Sequence, residues 1–197
     1  MPDQYQSRKH NDMTQDYVLW QSDYIANNLS AIQDDISIAY SHFKQIFPNE
    51  DSTWGFYKYN IFSLTSPSTV FYEIYKELRT LVLAELGTDK PLWFQAWINH
   101  HSYDQLLKRH HHEFDYHGYI SIDPKLTKTV FDEYEIINKP GQFYFGPGNR
   151  YHAVEAIEPF EGVRTTIGFD IHTIPTNPKN VEYVERPFLN MSMMPLL

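Results

Sequence analysis

Ten histidines and no cysteine bound the chemistry open to this 197-residue chain. Four of the histidines fall in one stretch, KRHHHEFDYHGY from Lys108 to Tyr119, with Glu113 directly after His110, His111 and His112, and His117 a few residues on. Without cysteine there are no structural disulfides, no thiolate catalysis and no zinc–thiolate sites. Any metal must sit on imidazole and carboxylate groups. In an extended chain alternate residues share a face, so the run offers two mutually exclusive pairs, His110 with His112 or His111 with Glu113. A His-rich turn can equally be solvated surface. A second segment, GQFYFGPGNRYHAV (141–154), favours the metal reading, because Pro147-Gly148 forms a tight corner and His152 opens the next strand. A β-sandwich can bring that corner opposite the first run. Three protein ligands leave open metal positions, as a catalytic ferrous site requires.

A third segment, VRTTIGFDI (163–171), places Arg164 and Thr166 on one face of a core strand. An arginine aimed into a core is costly unless an anion meets it. A bidentate carboxylate is its natural partner, with the Thr166 hydroxyl adding a hydrogen bond. The competing possibility is an edge-strand arginine that reaches solvent or pairs with Asp170.

These segments need elements to hold them. From Asp23 the apolar positions Ile25, Leu29, Ile32, Ile36, Tyr40, Phe43 and Ile46 recur at spacings of four and three, predicting one amphipathic helix capped by Ser22 or Asp23 and stopped by Pro48. Thr53–Phe62 reads as a strand. A second helix is predicted from Ser66 or Ser68, with Gly87 as its C-cap. After Gly87 the period changes to short aromatic and β-branched runs at 91–99, 117–123, 128–136, 141–146, 151–157 and 163–174, separated by turn residues such as Lys139-Pro140-Gly141. The pattern predicts a mainly β protein with N-terminal helices covering one face of a β-sandwich or jelly roll. One domain is expected: residues 1–20 loosely ordered, 21–90 as helical support, 91–174 as jelly-roll core, and 175–197 as a tail docking on the body or on a second subunit of a homodimer. His100 and His101 are expected in a loop, Trp93 and Trp97 in the core, and His172 in a structural role.

Composition narrows the function. The net charge of −9 and pI near 5.5 disfavour a nucleic-acid partner, which needs clustered Lys and Arg. No apolar run approaches the ~20 residues of a membrane span, and the polar N-terminus lacks a signal-peptide core, so a soluble cytoplasmic protein is expected.

The three segments, in this order, resemble the Fe(II)/2-oxoglutarate-dependent oxygenases, in particular small prolyl-hydroxylase-like and phage-type members. The family pattern is a His-x-Asp/Glu or His-x-His pair, a distal His, and an Arg-x-Ser/Thr pair about ten residues on. Here HHHEFDYHGYISIDP, PGQFYFGPGNRYH and RTTIGFDI fill it, over about residues 91–172. The resemblance implies a double-stranded β-helix, Fe(II) and 2-oxoglutarate as cofactors, O2 as co-reactant, and hydroxylation of a small molecule or peptide side chain with release of succinate and CO2. It implies His152 as distal ligand, Arg164 and Thr166 at the far carboxylate of 2-oxoglutarate, and Tyr119, Ser121 and Asn99 facing the same cavity. The sequence departs from the usual pattern at the first pair, and the strand alignment favours His110 and His112 over His111 and Glu113. Two alternatives stand beside it. A cupin-type metalloenzyme would use His110, His112, His117 and His152 without 2-oxoglutarate, and a degenerate jelly roll would bind without catalysis.

Overall fold

The computed structural model describes residues 16–46, 59–173 and 193–196. The short runs after Gly87, joined by one strand from before it, form two antiparallel sheets. The larger has the order β1-β6-β3-β8-β2-β9, from Val18–Gln21 (β1), Gln142–Pro147 (β6), Tyr116–Asp123 (β3), Arg164–His172 (β8), Trp93–His101 (β2) and Met194–Pro195 (β9). The smaller has the order β5-β4-β7, from Glu135–Ile137 (β5), Thr127–Phe131 (β4) and His152–Ala156 (β7). His110 adds a single bridge to β7, its N–H donating to the His152 carbonyl at 2.9 Å and its carbonyl accepting from the His152 N–H at 2.8 Å. Two facing sheets joined in this way form a double-stranded β-helix, the mainly β fold predicted from the run lengths.

The helices cover the outer face of the larger sheet. Ile25 in α1 (Asp23–Asn27), Ile32, Ile36 and Phe43 in α2 (Leu29–Ile46), and Phe71, Ile74, Leu78 and Val82 in α4 (Thr69–Leu86) form one buried cluster with Phe94, Ile98, Ile120, Phe143, Ile167 and Phe169. Each buried side chain of this size contributes roughly 1.5–3 kcal/mol, so this layer carries the stability and frees the inner face for polar work. The expected caps are present: the Ser22 and Ser68 hydroxyls accept from the Ile25 and Phe71 N–H groups, each at 3.0 Å, and Gly87 closes α4 with φ of 55°.

Several expectations need correction. The helix expected from Asp23 to Pro48 breaks at Asn28, whose side chain donates to the Tyr24 carbonyl at 2.8 Å and ends the first turns before α2 restarts. Pro48 and residues 53–58 of the expected strand lie outside the described residues. The end of that strand is instead a helical turn (α3, Ile61–Leu64) capped by Asn60, whose Oδ1 accepts from the Phe62 N–H at 3.0 Å. Residues 128–136 form a hairpin rather than one strand, with Phe131 N–H donating to the Tyr134 carbonyl at 2.8 Å. Val18–Gln21, expected to be loosely ordered, pairs with β6 and packs Trp20 on Phe143 at 4.9 Å. His100 and His101 belong to β2, not a loop. At the tail, Leu196 is buried on the body and its carbonyl accepts from Arg79 Nε at 3.0 Å. Among the described residues, no helix is long and apolar enough to cross a membrane.

Candidate functional site

The register of the larger sheet lays out its inner face in rows. Arg164, Thr166, Gly168 and Asp170 alternate along β8 on the inward side, with Ile167, Phe169 and Ile171 on the helix side. Beside them lie His101 next to Arg164, Asn99 and Ser121 flanking Thr166, Trp97 and Tyr119 flanking Gly168, and Gln95 and His117 flanking Asp170. Thr129 on β4 and His152 and Val154 on β7 close over these rows. The cavity they line, partly open to solvent, has a volume of about 180 Å³. That is below the ~300–1,000 Å³ of drug-sized sites. Gly168 makes the floor: a Cβ there would lie 2.7 Å from the Trp97 ring, so only glycine lets the indole cross the strand.

At one end of the cavity three imidazoles converge. One ring nitrogen from each of His110, His112 and His152 lies within 4.8 Å of the other two. The groups behind the rings decide which nitrogen that is. His110 Nδ1 lies 2.7 Å from the Lys108 carbonyl and His152 Nδ1 lies 3.0 Å from the Arg150 carbonyl. His112 Nδ1 lies 3.2 Å from Asp170 Oδ2. Carbonyls and carboxylates only accept, so each Nδ1 carries a proton and Nε2 is the nitrogen left for a metal. Burial lowers the His110 pKa, and burial followed by the neighbouring imidazoles lowers that of His152 to about 2. Neutral imidazoles with an acceptor behind each are what a divalent transition metal takes. The donor set fits iron.

At the other end sits Arg164, 2 % exposed and the largest fully buried side chain. Its Nε donates to Thr127 Oγ1 at 3.4 Å and its Nη1 to Thr166 Oγ1 at 3.3 Å. Among the described residues no carboxylate lies within ion-pair distance of it, and burial lowers its pKa to about 10. Thr166 Oγ1 also accepts from Asn99 Nδ2 at 3.3 Å, while Asn99 Oδ1 accepts from Trp97 Nε1 at 3.1 Å. Ser121 Oγ is buried with no hydrogen bond; the buried Tyr119 Oη sits beside Thr129, whose hydroxyl donates to Asn138 Oδ1 at 3.1 Å. Burial raises the Tyr119 pKa, so the phenol stays a donor. A buried guanidinium and hydroxyls grouped in this way fit a carboxylate.

No protein-family model and no curated protein sequence matches the chain. Solved structures do. The non-haem α-ketoglutarate-dependent carbocyclase SnoK from nogalamycin biosynthesis matches at a TM-score of 0.55 and 12 % identity, over 80 % of this chain and 79 % of that one. The epimerase SnoN from the same biosynthesis gives 0.49 at 12 % identity over 85 % and 83 %. A 2OG-Fe(II) oxygenase family oxidoreductase from Burkholderia pseudomallei gives 0.42 at 12 % identity over 49 % and 52 %. The chain has the fold of SnoK.

Within this SnoK-like fold the residues singled out in the sequence separate cleanly. His110, His112, His152, Tyr119, Asn99, Arg164 and Thr166 line one cavity, and Ser121 faces it from the Thr166 row. The other register turns away: His111 and Glu113 are exposed, with His111 against the Tyr151 ring at 4.5 Å. His117 lines the same cavity, stacks on His112 at 3.7 Å and 10° with its ring 5.0 Å from that of His152, and its nitrogen groups with those of His112 and Asp170. Trp97 is core, as expected, and also walls the cavity. His172 bonds Asp115 Oδ2 at 2.9 Å, a structural role. Sequence reasoning overlooked Asp170 as a support of the histidines. The signal was parity, because Asp170 shares the face of Arg164 and Thr166.

Proposed function

We propose that the chain is a non-haem Fe(II)- and 2-oxoglutarate-dependent dioxygenase, with His110, His112 and His152 as metal ligands and Arg164 at the far carboxylate of the cosubstrate. One observation carries this reading. A buried guanidinium with no acidic partner among the described residues shares a small cavity with three converging imidazoles. The iron and cosubstrate, when bound, supply O2 activation, converting 2-oxoglutarate to succinate and CO2 as a substrate C–H bond is hydroxylated.

The chain's own residues bind, orient and exclude. Arg164 gives the carboxylate charge-assisted hydrogen bonds in a dry site. Thr166 accepts from both Asn99 and Arg164, so its remaining proton points to a ligand acceptor. Tyr119 and Ser121 add hydroxyl donors from β3. Trp97, Leu107 and Val154 close the apolar sides against water. A five-carbon dicarboxylate fits a cavity of this size, and the small-molecule or peptide substrate meets the metal from the mouth.

Anaerobic addition of Fe(II) and 2-oxoglutarate to the metal-free protein should produce a weak visible charge-transfer band. Arg164→Ala should abolish it by removing the cosubstrate. If wild type shows no band and no 2-oxoglutarate binding, the oxygenase reading is wrong. A cupin-type enzyme without 2-oxoglutarate would leave Arg164 with no anion to meet.

A further inference from the structure

The metal centre just proposed has three neutral ligands and no carboxylate among them, yet a carboxylate stands directly behind it. Asp170 is fully buried on β8. Its Oδ1 lies 3.1 Å from His112 Nδ1 and 3.0 Å from His117 Nδ1, and its Oδ2 lies 3.2 Å from His112 Nδ1. The two rings stack nearly parallel, so both present the same edge to this one group.

We propose that Asp170 is the positioning carboxylate of the metal centre, a single acceptor-only group that fixes the tautomers of His112 and His117 together and thereby turns both Nε2 lone pairs away from itself, that of His112 to the metal. The proposal rests on the metal site proposed above.

Four rings surround the site, and they are held in two different ways. His110 and His152 are fixed by backbone carbonyls, of Lys108 and Arg150, which no side-chain change removes. His112 and His117 depend on a side chain. A carboxylate is suited to the task because it accepts from two N–H donors at once. An amide is not. Asparagine at this position keeps one acceptor oxygen and replaces the other with an NH2 donor, which meets the Nδ1 of the ring it faces and favours that ring carrying its proton on Nε2. A ring protonated on Nε2 cannot bind metal through that atom. The carboxylate also supplies, one step removed, the negative charge that the ligand set lacks, and it raises the basicity of the ring it supports.

The test uses the full-length metal-free chain, with Co(II) as the probe and long-range ¹⁵N–¹H spectra of the imidazoles at pH 7.5 as a second readout. Wild type should show Nδ1–H signals for both His112 and His117. Asp170→Asn should move one of the two to Nε2–H and raise the Co(II) Kd by about 10–100-fold. In a His117→Phe background the stacked ring is kept but the competing N–H is gone, so the asparagine carbonyl is free to serve His112. There Asp170→Asn should leave His112 in the Nδ1–H form and recover most of the lost affinity.

The proposal is overturned if Asp170→Asn leaves the tautomers unchanged or its Co(II) affinity within about twofold of wild type. It is equally overturned if the His117→Phe background gives no recovery. Should Asp170→Asn fail to fold, the wild-type spectrum decides alone, since an Nε2–H signal on either ring is incompatible with the shared carboxylate. Wild type that binds Co(II) and 2-oxoglutarate but ignores Asp170→Asn sinks this inference and leaves the oxygenase reading standing. Wild type that binds no Co(II) sinks both.

Discussion

The two ends of the cavity are built on opposite plans. At the histidine end, the outward nitrogen of each ring already has its acceptor: the Lys108 carbonyl, the Arg150 carbonyl or Asp170. At the arginine end, the guanidinium reaches two hydroxyls among the described residues, at 3.3 and 3.4 Å, and Ser121 holds a buried hydroxyl without a hydrogen bond. The contrast separates what must be rigid before a ligand arrives from what a ligand completes. Metal affinity depends on lone pairs already aimed, so the protein finishes that half itself. Anion affinity depends on donors left unsatisfied, and that half stays costly until filled, because an unpaired buried charge costs several kcal/mol.

The largest expected effect lies at the finished end. His152→Ala removes one of the three proposed ligands. Sharing the ~10–16 kcal/mol of a four-ligand site gives about 2.5–4 kcal/mol per ligand, a loss of roughly 70- to 900-fold in metal Kd. Titration with Co(II) checks it. Retention of wild-type affinity would show that His152 is not part of the centre.

Next comes Arg164→Met, which should act in two directions at once. Binding of 2-oxoglutarate, followed by calorimetry on the Co(II) form, should weaken by about 2–5 kcal/mol, the cost of truncating one partner of a buried charge pair. The ligand-free protein should become more stable, by about 1–4 kcal/mol if it behaves like other buried charges replaced by apolar groups. A fall in Tm would mean that the guanidinium already has its counter-charge, and the difference between the two ends would vanish.

Acid separates the ends more gently. Burial, ahead of the neighbouring imidazoles, holds His117 at about 4 and His152 at about 2 in the fold, against an unfolded value of ~6.5. Below pH ~6.5 the unfolded chain therefore takes up protons that the folded chain refuses. Stability present at neutral pH is lost as pH falls from there, by about 1.4 kcal/mol per unit for each ring. Arg164, lowered to about 10, changes its charge only in the alkaline range and is silent here. Tm of the metal-free protein at pH 7.5, 6.5 and 5.5 should drop progressively, and bound Co(II), which competes with protons for the same nitrogens, should steepen the drop. A flat profile would place these rings in water.

The same contrast governs what could be read from the sequence. His110, His112, His152, Arg164 and Thr166 were legible because residue type and period-two spacing are local facts, and so were the caps at Ser22, Ser68 and Gly87. Asp170 carried the right parity, but its partners sit more than fifty residues upstream and meet it only through the β3–β8 pairing. Strand β1 was missed for a related reason. Its pairing with β6 is made by backbone groups more than a hundred residues apart in the chain, and a four-residue run gives little local sign of it. The break at Asn28 turns on one side-chain bond that competes with the helix, which periodicity does not register.

The smallest effect is the most specific. Thr166 Oγ1 accepts from Asn99 and from Arg164, which uses both lone pairs and leaves its proton for the ligand. Thr166→Val keeps the shape and removes that donor, at about 0.5–1.5 kcal/mol, or roughly two- to tenfold in the 2-oxoglutarate Kd. Thr166→Ser, which restores the hydroxyl, should stay within about twofold of wild type. Metal affinity should not move in either variant, because nothing in the Asn99–Thr166–Arg164 chain touches the histidines' acceptors. If Thr166→Val weakens 2-oxoglutarate more than Arg164→Met does, the hydroxyl row rather than the guanidinium holds the anion. If it weakens the metal as well, the two ends are one coupled network and the finished half was never independent of the open one.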